Sequence, residues 1–145
     1  MVIRLPHMPG EGPVAAGSGR RGNKFGAKRT TCGHGHTHDS KAEALRCDDL
    51  RLLERAGHIR KLEQHPVFHF TTADGRQVRS LMRGARSGGP IRYTADFGYE
   101  ERQKSGEWRK IVEDVKSLAT MTEAAVLRLA FFQHFHPELE LRLTR

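Results

Sequence analysis

The sequence predicts an α/β or α+β sandwich in which a mixed β-sheet is flanked by two helices. Two segments open on a capping box, a hydroxyl residue followed three positions later by a glutamate, which marks the start of a helix. The segments between and after them carry the alternation of apolar and polar residues that is typical of half-buried strands. The order along the chain is helix, strand, two hairpin strands, helix and strand, and this order favours helices packed on a mixed sheet.

The first helix is predicted to begin after Ser40, whose side chain can cap it while Glu43 closes the box. Gly57 suits the C-terminal end of this helix, because glycine readily adopts the left-handed conformation found there. We expect the apolar side of the helix to consist of Ala42, Leu45, Leu52 and Ala56.

Extended structure is predicted next, from Ile59 to Phe70. Asp74 and Gly75 give a turn signal, after which Gln77 to Met82 is expected to return as a strand. A basic, glycine-rich loop without core residues follows from Arg83 to Pro90, and its role is open.

A second helix and a last strand complete the prediction. Thr120 and Glu123 form the second capping box, and Pro137 ends the helix. Glu138 to Leu143 alternates charged residues with leucine, which indicates a half-buried strand. The apolar side of the second helix is expected to consist of Met121, Ala124, Ala125, Leu129, Phe132 and Phe135.

Composition places the chain among small basic proteins. Its 145 residues fit one domain with a modest core, and 37% of them are hydrophobic. Residues 1–22 are rich in glycine and proline and are interpreted as a flexible arm, which leaves residues 23–145 as the domain. Two cysteines make no disulfide framework, and neither a secretory signal nor an apolar run of membrane length is found. We therefore expect a soluble, cytoplasmic protein.

The positive charge predicts a polyanionic partner. Lysine and arginine number 25 against 17 acidic residues, a formal charge of +8, and nucleic acid is the first candidate for such a balance. A solvated charged surface is the alternative. The residues that we expect to contact phosphate are Arg20, Arg21, Lys24, Lys28, Arg29, Lys41 and Arg128.

The two hairpin strands carry the acids that bear on function. They are predicted at Ile91–Glu100 and Glu107–Lys116, joined by a Lys-Ser-Gly connection. Since side chains alternate along a strand, Asp114 and Lys116 share one face, and Glu113 lies on the other. Asp96 lies in the first of the two strands, beside this pair.

An acid and a lysine near a core are costly to bury unless they are paired or bound to a cation. Two carboxylates and a lysine on adjacent strands suit magnesium and a polarised water. The alternative is an ion pair between Asp114 and Lys116, which contributes little at a surface.

A second group of potential metal ligands precedes the first helix. Thiol and imidazole side chains at this density can bind zinc. Alternation along a strand, however, would place the three histidines on one face, too close together to complete a tetrahedral site by themselves. We therefore favour a β-hairpin whose histidine-rich face is exposed or lies near phosphate, and keep a zinc-stabilised DNA-binding domain as an alternative. The residues concerned are Cys32, His34, His36, His38 and Cys47.

Four motifs in order resemble the PD-(D/E)xK nuclease superfamily, and within it a phage-associated domain of unknown function. The motifs are Asn23–Arg29 (NKFGAKR), Asp39–Ala44 (DSKAEA), Tyr93–Phe97 (YTADF) and Val112–Ser117 (VEDVKS). The resemblance spans residues 23–143. Ser117 departs from it, because a glycine usually follows the lysine, and the loop at residues 83–90 looks added or lengthened.

The resemblance implies a restriction-endonuclease-like core of order α-β-β-β-α-β and a metal-dependent endonuclease acting on DNA. Asp96 and Asp114 would bind Mg²⁺, with Mn²⁺ as a possible substitute, and Glu43 would complete the metal site. Lys116 would orient the attacking water or hold the phosphate. Branched or recombination DNA in a phage or prophage setting is the implied substrate, and a homodimer is plausible. A nucleic-acid-binding module without catalytic activity is the alternative.

Overall fold

The structure is a computed structural model that describes residues 28–81 and 88–145. The predicted arm, most of the predicted loop, and Arg20, Arg21 and Lys24 lie outside these residues. Two helices are present, α1 at Lys41–Arg55 and α2 at Glu123–Phe135. The strands are β1 Thr30–Thr31, β2 Thr37–His38, β3 Ile59–Gln64, β4 Val67–His69, β5 Arg92–Thr94, β6 Phe97–Arg102, β7 Trp108–Val115 and β8 Glu140–Thr144.

The main sheet has the strand order β3-β6-β7-β8. β3, β6 and β7 are antiparallel neighbours, whereas β8 runs parallel to β7, from the pair Ile111 and Glu140 to the pair Val115 and Thr144. Parallel neighbours need a crossover connection, and α2 supplies it. The predicted mixed α/β architecture is therefore confirmed. Two small antiparallel ribbons, β1-β2 and β4-β5, flank the main sheet.

α1 begins as predicted but buries a different face. The backbone N–H of Glu43 donates to Ser40 Oγ at 3.2 Å, and Ser40 Oγ donates to Glu43 Oε1 at 2.9 Å, which closes the capping box. Gly57 follows the helix with φ 76°, as expected. The predicted apolar side is wrong, since Leu45 and Leu52 are 57% and 60% exposed. The helix is rotated so that Ala44, Cys47 and Leu50 face the sheet.

The two predicted long strands are each split in two. The first breaks at His65, which has φ 52°, and Lys61 with φ 55° adds a register shift within β3. The second breaks between Thr94 and Phe97. The two breaks lie side by side, because the N–H of His65 donates to the carbonyl of Asp96 at 3.0 Å. Asp96 thus lies at a bend that both strand pairs share.

Two further local predictions need correction. Residues 77–81 form no regular strand and make only isolated bridges, Thr71 with Gln77 and Arg79 with Pro90. Thr122, rather than Thr120, caps α2, and its hydroxyl accepts from the N–H of Ala125 at 3.3 Å. Thr120 instead ends a short 3-10 turn, in which its hydroxyl accepts from the N–H of Ser117 at 3.0 Å.

The second helix and the last strand otherwise follow their prediction. α2 ends at Phe135, two residues before Pro137. Its buried side chains are Leu129 and Phe132, whereas Ala124, expected on the apolar side, is exposed. β8 occupies the predicted segment with a shift of one to two residues. No helix in the described part of the chain is long and apolar enough to cross a membrane.

Hydrophobic clusters on opposite faces of the sheet hold the helices in place. Ile111 belongs to the cluster under α1, and its neighbour Val112 belongs to the cluster under α2. This alternation continues along β7, so Glu113 projects toward the α1 side and Asp114 toward the α2 side. The α1 cluster consists of Cys32, Ala44, Cys47, Leu50, Ile59, Phe97, Tyr99 and Ile111, and the α2 cluster of Phe70, Tyr93, Ala95, Val112, Leu129 and Phe132.

Candidate functional site

The end of β7 places Asp114 and Lys116 on one face, as alternation predicts. Asp114 is 1% exposed, and its Oδ2 accepts a hydrogen bond from the Tyr93 hydroxyl at 2.9 Å. Lys116 Nζ lies 3.1 Å from Asp114 Oδ1 but out of line for a hydrogen bond, so Oδ1 is buried without a hydrogen-bond partner among the described residues. The Lys116 ammonium group offsets the charge of this oxygen, and a bound cation would add the direct contact that the oxygen lacks.

Asp96 brings a second carboxyl group to Asp114. Its Oδ2 accepts from the N–H of Val115 at 2.6 Å, and the two carboxyl groups lie close enough to share a proton. Burial, followed by the charges of Asp114 and Glu43, raises the pKa of Asp96 to about 8, despite the hydrogen bond from Val115. Two adjacent carboxyl groups in this state hold either a proton or a cation between them.

The backbone fixes Asp96 in this position. Its N–H donates to the carbonyl of Glu113 on β7 at 3.1 Å, and its carbonyl accepts from His65 at the bend between β3 and β4. One residue earlier, the N–H of Ala95 donates to the carbonyl of Pro66 at 3.1 Å. The break between β5 and β6 is therefore tied on both sides, which holds the Asp96 side chain against the end of β7.

Glu43, in the first turn of α1, is the third acid to consider, and its charge reaches Asp96. It is half-buried. Each of its carboxylate oxygens already accepts one hydrogen bond, Oε1 from the Ser40 hydroxyl and Oε2 from the N–H of Asp39 at 3.2 Å. Since a carboxylate oxygen has two lone pairs, the cap leaves Glu43 able to bind a cation directly or through water. We refer to Glu43, Asp96, Asp114 and Lys116 as the carboxylate cluster.

Glu113, next in sequence to Asp114, has an entirely different environment. It is fully buried and accepts hydrogen bonds from the Arg46 guanidinium at 2.5 and 2.9 Å and from the Tyr99 hydroxyl at 2.6 Å. Thr144 adds a fourth at 3.0 Å. Burial alone would raise the pKa of Glu113, but the hydrogen bonds from Arg46 and Tyr99 hold it below its usual value. Its oxygens are saturated, so Glu113 connects α1 to the sheet and is not a metal ligand.

A cleft opens beside Asp114 and Lys116, with a volume of about 450 Å³. Arg92 and the predicted phosphate contact Arg128 also line it, so its rim is basic. Asp96 and Glu43 are not among its described lining residues.

The remaining predicted phosphate contacts lie elsewhere. Lys28, Arg29 and Lys41 are exposed but do not line the cleft, and Arg29 lies 3.3 Å from Asp39 in a surface ion pair.

The predicted β-hairpin is present as β1 and β2, but the prediction that its histidines share an exposed face is wrong, because only His34 is exposed among the three. His38 is 1% exposed, and four donor atoms lie within 4.8 Å of one another, a grouping that could hold a metal ion. His36 Nδ1 is 3.5 Å from Cys32 Sγ and 4.0 Å from Cys47 Sγ. We call this group, which consists of Cys32, His36, His38 and Cys47, the Cys/His cluster.

The alternation argument failed because the segment is not one strand. A turn with Gly35 at φ 84° lies between β1 and β2, and the N–H of Cys32 donates to the carbonyl of His36 at 2.9 Å. The turn folds Cys32 back onto His36, and α1 supplies Cys47. The glycines at positions 33 and 35 were the signal that pointed to this turn.

Comparisons with known proteins place the chain in a family without assigning an activity. The family described as "Protein of unknown function (DUF1064)" matches residues 22–145. A search of curated proteins and a search of solved structures each found no match.

Proposed function

The chain belongs to the DUF1064 family of proteins of unknown function, and from this premise we propose that it is a magnesium-dependent DNA endonuclease that hydrolyses phosphodiester bonds. One observation carries the proposal: a buried oxygen of Asp114 has no hydrogen-bond partner in the described part of the chain, while the Lys116 ammonium group lies 3.1 Å from it and the Asp96 carboxyl group lies beside the same side chain, at a cleft with a basic rim. The element order α1, β3, β6, β7, α2, β8 supports it, because it is the order that the PD-(D/E)xK resemblance implies.

The residues present fit a hard divalent cation. Asp96 and Asp114 offer adjacent carboxylate oxygens, and Glu43 offers a third carboxylate, whereas Mg²⁺ is bound through oxygen ligands and retains several waters. When bound, Mg²⁺ or Mn²⁺ would polarise the phosphodiester and lower the pKa of a bound water.

The other side chains have separate tasks in this proposal. The Tyr93 hydroxyl fixes the orientation of Asp114, so that Oδ1 remains directed away from the tyrosine. Lys116, with its side chain 26% exposed, is positioned to hold the attacking water or a phosphate oxygen and to offset the charge that develops on it. Arg92 and Arg128 on the cleft rim would bind neighbouring phosphates, which position the DNA without reading its sequence.

Cleavage assays on plasmid, linear, nicked, flap and four-way-junction DNA test the proposal, each with Mg²⁺, Mn²⁺ or EDTA. We expect metal-dependent cleavage, with branched DNA preferred, and a loss of about 100-fold or more in Asp114→Asn and in Lys116→Ala. Asp49→Asn on the exposed side of α1 and Lys104→Ala in the β6–β7 connection are matched controls that should cleave normally. Cleavage unchanged in Asp114→Asn, or absent on every substrate, rejects an endonuclease.

A nucleic-acid-binding module without turnover is the second candidate, favoured by the charge of +8. Gel-shift binding that weakens steeply with salt, with no cleavage in any metal, would support it. Light scattering of the same samples, with and without DNA, tests the expected homodimer.

A further inference from the structure

We propose that Cys32, His36, His38 and Cys47 bind one structural zinc ion, which fastens the β1-β2 ribbon to α1. The side chain that points most directly to a ligand is His38. It is 1% exposed, and both of its ring nitrogens are buried without a hydrogen-bond partner in the described part of the chain. A buried imidazole normally donates from one nitrogen and accepts at the other, and metal coordination accounts for the free lone pair.

The geometry fits a tetrahedral ion. Zinc bonds of about 2.3 Å to sulfur and 2.0–2.1 Å to nitrogen require ligand atoms roughly 3.3–3.8 Å apart. His36 Nδ1 lies 3.5 Å from Cys32 Sγ and 4.0 Å from Cys47 Sγ, and no pair in the Cys/His cluster is more than 4.8 Å apart. Side-chain shifts of a few tenths of an ångström to about one ångström close the tetrahedron.

The donor set selects zinc rather than the cation of the carboxylate cluster. Two thiolates and two imidazoles are soft to intermediate ligands, which Mg²⁺ does not use. Four protein ligands leave no position for substrate, and Cys32, His38 and Cys47 are all buried, so the ion would be structural. Gln64 Nε2 lies 3.7 Å from Cys47 Sγ and would support a thiolate there.

The β1-β2 ribbon depends on contacts that hold it to α1. β1 and β2 have two residues each, and a ribbon of that length is not stable alone. Two residues of α1 contact the turn on its exposed side. The Asp48 carboxylate accepts from the N–H of Gly33 at 2.9 Å and lies 3.1 Å from His34 Nδ1. Arg55 Nη2 lies 3.0 Å from His34 Nε2. Zinc bound by Cys47 would join the ribbon to the same helix from its buried side.

Metal analysis of the full chain, purified without a metal-affinity step, tests the inference. We expect one zinc per chain, and a cobalt-exchanged sample with the visible absorption of tetrahedral cobalt bound by thiolates. Cys47→Ser and His38→Ala should each lose the zinc. His58→Ala is the matched control, because this exposed imidazole just after α1 belongs to neither group of possible metal ligands among the described residues, and it should retain the zinc.

Two results would overturn the site: less than a tenth of an equivalent of zinc with no cobalt spectrum in the wild-type chain, or a disulfide between Cys32 and Cys47 found by thiol titration under denaturing conditions. The wild-type cobalt titration decides the matter even where a variant fails to fold. Neither measurement uses DNA, so the zinc site and the nuclease proposal stand or fall separately.

Discussion

The carboxylate cluster and the Cys/His cluster collect opposite kinds of metal ligand, although Glu43 of the first lies between His38 and Cys47 of the second in the sequence. The first offers hard oxygen donors, an incomplete set beside a 450 Å³ cleft, with an ammonium group 3.1 Å from a buried oxygen. The second offers two thiols and two imidazoles that are almost wholly enclosed. Open coordination next to a basic cleft suits catalysis, whereas closed coordination suits stability. Under the two proposals, one small fold would separate the two uses of a metal ion.

Replacement of Cys47, a proposed zinc ligand, should have the largest effect and tests whether the Cys/His cluster serves stability and not catalysis. We expect Cys47→Ser to lower Tm by roughly 10 °C, because the free energy of structural zinc binding is part of the free energy of folding. At a temperature where the variant is folded, its cleavage rate should stay within a few-fold of wild type.

Calorimetry and the cleavage assay on the same sample check both halves of this prediction. His58→Ala serves as the control for loss of an exposed imidazole. A variant as stable as wild type would contradict the structural role, and a folded variant without cleavage would place the Cys/His cluster in the catalytic site.

Replacement of Arg46 tests whether Glu113, unlike its neighbour Asp114, has a structural role. Arg46→Met leaves Glu113 buried without its main ionic partner, and we expect a loss of about 3–5 kcal/mol in the free energy of unfolding. The matched control is Arg109→Met, which removes an exposed pair with Glu140 and should cost about 1 kcal/mol or less. Urea denaturation measures both. Equal effects would show that Glu113 does not depend on Arg46.

The pH dependence of the carboxylate cluster gives a third test. Asp96 has a pKa raised from 3.8 to about 8, so without metal its contribution to stability is full below pH 4 and is lost as the pH rises through 8. Bound Mg²⁺ reverses this, because it replaces the proton. We expect Mg²⁺ affinity to increase by about tenfold per pH unit between pH 6 and 8.

Thermal shift with Mg²⁺ at several pH values measures this effect, and Asp96→Asn should abolish it. Zinc content should not change in the part of this range above pH 7. The pH dependence of metal binding therefore distinguishes the carboxylate cluster from the Cys/His cluster. A Mg²⁺-induced shift independent of pH would show that Asp96 is not a ligand.

The contrast also explains which features the sequence could reveal. Element order and the shared face of Asp114 and Lys116 follow from periodicity, and the α1 cap follows from Ser40 and Glu43. These are local rules, and the structure obeys them. The bend at Asp96 was missed, because it lies beside a residue with positive φ, His65; the proline that follows His65 was the signal for a break in the extended run.

The sequence favoured an exposed histidine face over the Cys/His cluster for a related reason. Strand alternation was applied across the turn at Gly35, and the inner side of α1 was assigned from leucines although Cys47 faces the sheet. The inward position of Arg46 likewise depends on Glu113, which lies 67 residues away. The buried face of α1 and the Cys/His cluster depend on contacts between segments that are distant in sequence. Periodicity within one segment does not predict such contacts.

Glu43 provides the smallest and most discriminating test, because it combines a capping role with a proposed metal role. Glutamine at the same position of a capping box can still accept a hydrogen bond, so Glu43→Gln should change the free energy of unfolding by less than about 1 kcal/mol. It removes one negative charge near Asp96, which should lower the pKa of Asp96 and weaken Mg²⁺ binding. Cleavage should therefore fall by about tenfold or more while Tm stays almost constant. Glu54→Gln, farther along α1, is the control for loss of a helix carboxylate. If cleavage and Mg²⁺ affinity are unchanged in Glu43→Gln, the glutamate only caps the helix, and the metal site must be completed by Asp96, Asp114 and water alone.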